Sequence, residues 1–148
     1  MTAEELMRQL EADPEWVAKR DARDSRYAER ESRIRAEQKP ILDDLAEVGI
    51  TVSSVYDLVG KQAAPAASFP VLLKHLACAY PSVIREGIIR ALGLPAARAV
   101  ALEPLSTAYS KEADPNLRWV IANALSGMAS LSELKHLSGI EEYSAFFD

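Results

Sequence analysis

The chain holds one cysteine, two histidines and ten aromatic residues among 148, and each shortage closes off a class of activity. With Cys78 alone, neither an intrachain disulfide nor a multi-cysteine zinc cage can form. No apolar run approaches the ~20 residues that a membrane helix needs, and charges run through the first ten residues, where a signal peptide would be apolar. The expected location is therefore the cytoplasm. Basic side chains number 17 against 22 acidic ones, a net charge of −5, which argues against general binding to a phosphate backbone. Few aromatics leave a core of Leu, Ile, Val and Ala, a composition that favours helices.

The chemistry is correspondingly sparse. Only His75, His136 and Cys78 titrate in the middle of the pH range. His75 and Cys78, three apart, would face each other on a helix, the minimum for a nucleophile pair. No third orienting group or glycine-rich anion loop accompanies them, so no catalytic residue is assigned. Glu133 and His136 have a usable metal-ligand spacing but lack a third ligand, so they read as a solvated surface pair, and no metal or cofactor is expected.

Composition divides the chain. Residues 1–39 hold 19 of the 39 formal charges and few large apolar residues, which marks a charged N-terminal helical arm; residues 40–148 hold nearly all the Leu, Ile and Val and make the core. Thr2 and Glu5 have capping-box spacing and predict a helix over residues 3–11. Asp13-Pro14 predicts a second, long and polar helix from Pro14 to about Lys39, stopped by Pro40. Glu15 with Lys19, Glu29 with Arg33 and Glu31 with Arg35 lie four apart, each pair worth about 0.3 kcal/mol. Trp16, Tyr27 and Ile34 fall near one stripe, suited to docking onto the rest of the chain or to a coiled-coil or partner-binding arm. The intervening heptad positions, Arg20, Arg23 and Arg30, make that seam polar.

A repeat organises the rest. Phe69-Pro70-Val71 aligns with Glu103-Pro104-Leu105, Ala79 with Ala113, and Pro81 with Pro115, all at a spacing of 34. After an extra Ile84, the spacing becomes 33, matching Arg85 with Arg118, Ile88 with Ile121, and Leu92 with Leu125. Each unit reads as helix, proline turn, helix, with Pro81 and Pro115 opening equivalent second helices. Pro70 fits a first turn, whereas Pro104 falls inside a helix over residues 95–110 and predicts a kink or break. Residues 40–48 and 53–59 read as a degenerate helix pair, 61–68 as a linker, and Leu131, Leu134 and Leu137 as the start of a third unit. The apolar end, with Ile140, Tyr143, Phe146 and Phe147, must fold back as a cap or meet something else.

Pro81 and Val83 through Ala91-Leu92-Gly93, and Asp114-Pro115 with Leu117-Arg118 through Ala124-Leu125, resemble HEAT repeats. The wider strings Val55-Tyr56-Asp57-Leu58-Val59 and Arg85-Glu86-Gly87-Ile88 look like small bacterial HEAT-like proteins. Tetratricopeptide repeats share the period of 34, but the turn prolines and second-helix arginines suit HEAT better. The resemblance covers about residues 40–138. It implies an all-α fold, a short right-handed α-α superhelix of helix pairs with a long charged N-terminal helix, and a ladder in which a turn aspartate pairs with a second-helix arginine, as Asp114 with Arg118. Arg85 and Arg118 are expected to bond to carboxylates or turn carbonyls between units.

The expected function is non-enzymatic: binding of a protein or peptide by the concave face of the second helices, with Glu86, Arg90, Trp119 and Asn123 as contact residues. Trp119 has a second reading, burial against the next repeat. The rivals are nucleic-acid binding, as in HEAT-like DNA glycosylases, through a cluster of Arg85, Arg90, Arg98 and Arg118, and a homo-oligomer held by the terminal repeat and the arm.

Overall fold

Every regular segment of the computed structural model, which describes residues 1–60 and 63–148, is helical, and no strand occurs among the described residues. Two compact units meet in sequence between Glu37 and Gln38. The first contains α1 (Ala3–Glu11) and α2 (Pro14–Glu37). Its α1 begins in the expected capping box: the Glu5 amide donates to Thr2 Oγ1 at 3.2 Å, and the Thr2 amide donates to Glu5 Oε2 at 2.9 Å. The Glu15 amide donates to Asp13 Oδ1 at 3.0 Å, so aspartate and proline open α2.

Helix α2 ends at Glu37 because Pro40 has no amide with which to continue its ladder. The same proline fits the first turn of a new helix, α3 (Lys39–Glu47). Neither α1 nor α2 has a buried residue. The three expected ion pairs of α2 do not close among the described residues. Arg20 reaches Glu11 at 3.8 Å and Asp21 at 3.2 Å instead, and lies 5.1 Å from the Trp16 ring centroid. Exposed pairs gain too little to fix two long side chains against their rotamer entropy.

The second unit continues from α3 through a 3₁₀ turn (Val55–Leu58), α4 (Ser68–Leu76) and α5 (Ser82–Leu92). A 3₁₀ turn (Pro95–Ala97), α6 (Arg98–Lys111), α7 (Pro115–Ser126), α8 (Leu131–Leu134) and a 3₁₀ segment (Ile140–Phe147) complete it. The helix expected over residues 53–59 is thus a single 3₁₀ turn. Buried Gln38 secures it, its Oε1 accepting from the Val55 amide at 3.0 Å. Of the linker expected over 61–68, positions 61 and 62 lie outside the described residues, and Ser68 already belongs to α4.

Burial repeats at a spacing of 33 throughout, not 34 changing to 33. Ser68, Leu72 and Leu76 of α4 correspond to Ala101, Leu105 and Tyr109 of α6; Ile84, Ile88 and Leu92 of α5 correspond to Leu117, Ile121 and Leu125 of α7, and all twelve are buried. No residue is inserted between the two units, and the N-caps of α5 and α7, Pro81 and Asp114, are themselves 33 apart. Pro81 is the N-cap of α5, whereas Pro115 is the first residue of α7 behind the N-cap Asp114. The Asp114 side chain accepts from the Asn116 amide at 2.9 Å, and no side chain caps α5.

The C-terminal ends of α5 and α7 meet main chain to main chain. A methyl group on Gly127 would lie 2.6 Å from the Gly93 carbonyl oxygen, and one on Gly93 would lie 3.1 Å from the Ala124 Cα. Helix α6 runs unbroken through Pro104, correcting the expected break. Val100, whose carbonyl loses its donor to the proline, is exposed, as is Pro104 itself, so water can replace the missing bond.

The apolar end folds back as a cap. Ile140 is fully buried, Tyr143 lies edge-on to Tyr109 with centroids 6.3 Å apart, and Phe146 lies edge-on to Trp119 at 5.2 Å. Arg98 clasps this end by donating to the Met128 carbonyl at 2.6 Å and pairing with Glu133, whose carboxyl is held down to about 2 by the guanidinium and by Ser130.

Two outcomes follow from this packing. Gly127→Ala should destabilise the protein by about 1–3 kcal/mol in urea unfolding, because backbone faces the added methyl and cannot give way. Glu133 has a depressed folded pKa, so its pairing stabilises above the ordinary carboxylate range and is lost as pH falls from about 4.5 toward 2. Arg98→Ala should lower the melting temperature at pH 6, and the difference from wild type should narrow toward pH 2, leaving the part that the bond to the Met128 carbonyl supplies.

Candidate functional site: an exposed face of α5 and α7

Helices α5 and α7 are buried over most of their circumference. At about 100° per residue, the buried positions Leu117, Val120, Ile121, Ala122, Ala124 and Leu125 cover more than half of α7. Trp119 and Asn123 occupy the remaining arc. Glu86 and Arg90 occupy the equivalent arc of α5, while Ile89 is fully buried. Trp119 is 41% exposed, which decides against its reading as a core residue.

The structure brings three of the four expected contact residues together. Arg90 donates through Nε at 3.1 Å and through a terminal nitrogen at 2.9 Å to the same oxygen of Glu86. Its guanidinium carbon lies 5.8 Å from the Trp119 ring centroid, within the range of a cation–π contact. Asn123 shares the arc, half-buried, and its carbonyl accepts from Ser126 Oγ at 2.6 Å.

Two further aromatics belong to the face and were not assigned to it from the sequence. Tyr56 is 40% exposed and donates its hydroxyl to the Val83 carbonyl at 2.6 Å. Its ring fills the space a side chain at position 87 would occupy, 2.9 Å from a methyl built on Gly87, so that glycine in mid-helix was the available signal. Burial raises the Tyr56 hydroxyl above its ordinary range, and the Glu86 carboxylate adds to the effect. Phe146 packs edge-on against Trp119 and stacks with Tyr143, their rings 3° from parallel.

The repeat arginines serve the packing. Arg85 donates to Glu112 at 2.8 Å, tying α5 to the turn before α7. Arg118 donates to the carbonyls of Tyr109 and Glu112, both at 3.3 Å, and of Ser138 at 2.8 Å, and lies over the Tyr109 ring at 4.2 Å. The expected Asp114–Arg118 pair is absent among the described residues, because Asp114 is occupied in capping α7.

His75 and Cys78 do not pair. His75 is buried with both ring nitrogens engaged: Nε2 lies 2.7 Å from Asp44 Oδ2, and Nδ1 lies 2.8 Å from the Tyr80 hydroxyl. Lys74 and His75 both bond to Asp44 and hold its carboxyl below the ordinary range, so the ionised carboxylate accepts from Nε2, while Nδ1 and the Tyr80 hydroxyl share a hydrogen bond. Cys78 is exposed and donates toward the Lys74 carbonyl at 3.6 Å. Among the described residues no three His, Cys, Asp or Glu side chains are placed to hold a metal ion.

An open groove of about 1390 Å³ lies along α4, α6 and α8, with Cys78, Lys111 and His136 in its lining and none of Glu86, Arg90, Trp119 or Asn123. Arg85 and Glu112 in its wall bond to each other, and Glu133 is taken by Arg98. No large hydrophobic side chain of this groove is exposed, whereas the α5 and α7 face has the exposed Trp119. Comparison of the chain with protein-family models, with curated proteins and with solved structures finds no match.

His75→Ala removes one partner each from Asp44 and Tyr80 and should cost about 1–3 kcal/mol of folding stability. Cys78→Ser should leave the chemical-denaturation midpoint unchanged, since the thiol is exposed.

Proposed function

We propose that the chain is a non-enzymatic interaction module. In this reading, HEAT-like helix pairs stack into a short superhelix and present the concave face of their second helices to a protein or peptide. The single observation that carries it is Trp119, a large aromatic left 41% exposed on a helix whose other large apolar residues are buried. Half-exposed aromatics ringed by partly apolar contacts, with a neighbouring arginine, have the composition of binding anchors. Glu86, Arg90, Trp119 and Asn123 are the proposed contacts, joined by Tyr56 and Phe146.

The nucleic-acid reading has less support. Of the four arginines expected to cluster, Arg85, Arg90 and Arg98 are paired with carboxylates, and Arg118 is spent on carbonyls. An unpaired basic stripe is what phosphate binding requires.

The test uses wild-type and Trp119→Ala chains as baits in native extract. Loss of the exposed indole should leave thermal unfolding little changed, against about 2–5 kcal/mol for Ile121→Ala in the core. It should weaken a captured partner by about 2 kcal/mol or more, as for a binding anchor. Equal retention by both baits would contradict the reading.

A further inference from the structure

The N-terminal unit, Met1–Glu37, lacks a core of its own: neither of its helices has a buried residue, and it contains no cysteine. Units of fewer than about 40 residues usually need a disulfide, a metal or association to hold their fold. At 1.5 Å per residue the nine residues of α1 span about 14 Å and the 24 of α2 about 36 Å, so α1 covers less than half of its neighbour. Leu10, Trp16, Val17 and Arg20 are accordingly half-buried, whereas residues 21–33 are exposed without a break and Tyr27 is 63% exposed. Trp16, Arg20, Arg23, Tyr27, Arg30 and Ile34 all fall within about 40° of one line along α2, a stripe of apolar and guanidinium side chains that holds no carboxylate.

The structure shows what fits this stripe. At its start it meets α1, whose Glu11 lies 3.8 Å from Arg20, and Arg20 lies over the Trp16 ring. Further along, Arg23 reaches only its neighbour Asp24, at 3.7 Å, and Arg30 has no ion pair among the described residues. Helix α1 offers more than its own α2 uses. Ala3, Leu6, Met7 and Leu10 line one side of it, with Leu6 and Met7 each nearly half exposed, and Glu4 and Glu11 follow one edge. Residues 1–13 carry four carboxylates against Arg8, and those of Glu5 and Asp13 bond to backbone amides, so no cation offsets them. We infer that a second copy of the chain completes this unit, the two α2 helices pairing antiparallel so that each acidic, apolar α1 packs on the bare second half of the partner's α2. An antiparallel two-fold pair sets the covered half of one helix beside the bare half of the other. A parallel pair would lay Arg23 and Arg30 against their own copies. The association leaves the α5 and α7 face out, so it goes beyond the proposed function and stands or falls apart from it.

The test is sedimentation equilibrium of the full chain. Wild type at micromolar concentration should show twice its 16.2 kDa mass. Tyr27→Ala puts the best helix former at an exposed site, so it should weaken the dimer about tenfold or more without loss of helix content. Two charge variants follow, one with Arg23→Glu and Arg30→Glu, the other with Glu4→Lys and Glu11→Lys. Each alone should associate about tenfold or more weakly, because like charges then face each other across the pair. An equal mixture of the two should recover the wild-type association, since the reversed stripe of one meets the reversed α1 of the other. A wild-type monomer, a dimer that ignores these variants, or a loss that mixing does not repair would overturn the inference; the last result would mean that the charges meet within one chain.

Discussion

Gly93 and Gly127 let the C-terminal ends of α5 and α7 meet with no side chain between them, a hypothetical methyl on Gly127 coming 2.6 Å from a backbone oxygen. This contact sets how closely the two helices approach, and the rest of the second unit is arranged on them. Their buried arcs take in α4 and α6 through residues repeating at a spacing of 33, so Leu72 and Leu105, or Ile88 and Ile121, do the same work in successive pairs. Arg85 and Arg118 then fasten each second helix to the turn or segment that follows it. Dispersion and burial supply the energy, and the arginines supply direction.

The same geometry makes the proposed binding face. A helix buried over more than half its circumference leaves a narrow outer arc, and when two such helices lie side by side their arcs join. Glu86 and Arg90 on one and Trp119 on the other become neighbours for that reason. Tyr56 and Phe146 close the two ends, each brought in by a short 3₁₀ element instead of a further helix. The cap built by Ile140 and Tyr143 covers the end of the core while leaving Trp119 part-exposed.

Local signals carried the helices well. The capping box at Thr2 and Glu5, the Asp13-Pro14 start and the restart at Pro40 each depend on residues within a few positions, and the all-helical class followed from composition and period. The joining of Glu86, Arg90 and Trp119 was legible because position in the repeat fixes the side of the helix. Less legible was anything decided across the fold. An inserted residue was read at Ile84 because proline was matched with proline, whereas Pro81 is an N-cap and Pro115 a first helical residue, and the constant spacing of 33 needs no insertion. Pro104 predicted a kink or break, and the break does not occur, because the sequence does not say that Val100 faces solvent. The bond of His75 to Asp44, 31 residues earlier, and the seat of Tyr56 over Gly87 depend on which helices pack together. Local spacing also overrated the ion pairs of α2, where solvent competes with every exposed charge.

The claim at the centre is that α7 turns Trp119 outward while the rest of its large apolar residues face the core. A Trp16→Phe chain isolates its fluorescence, since Trp16 and Trp119 are the two tryptophans. In the folded protein, acrylamide should quench Trp119 readily, with emission between that of a buried indole and that of the urea-unfolded chain. Emission as blue as a fully buried indole, with quenching appearing only on unfolding, would put Trp119 in the core and contradict the proposed face.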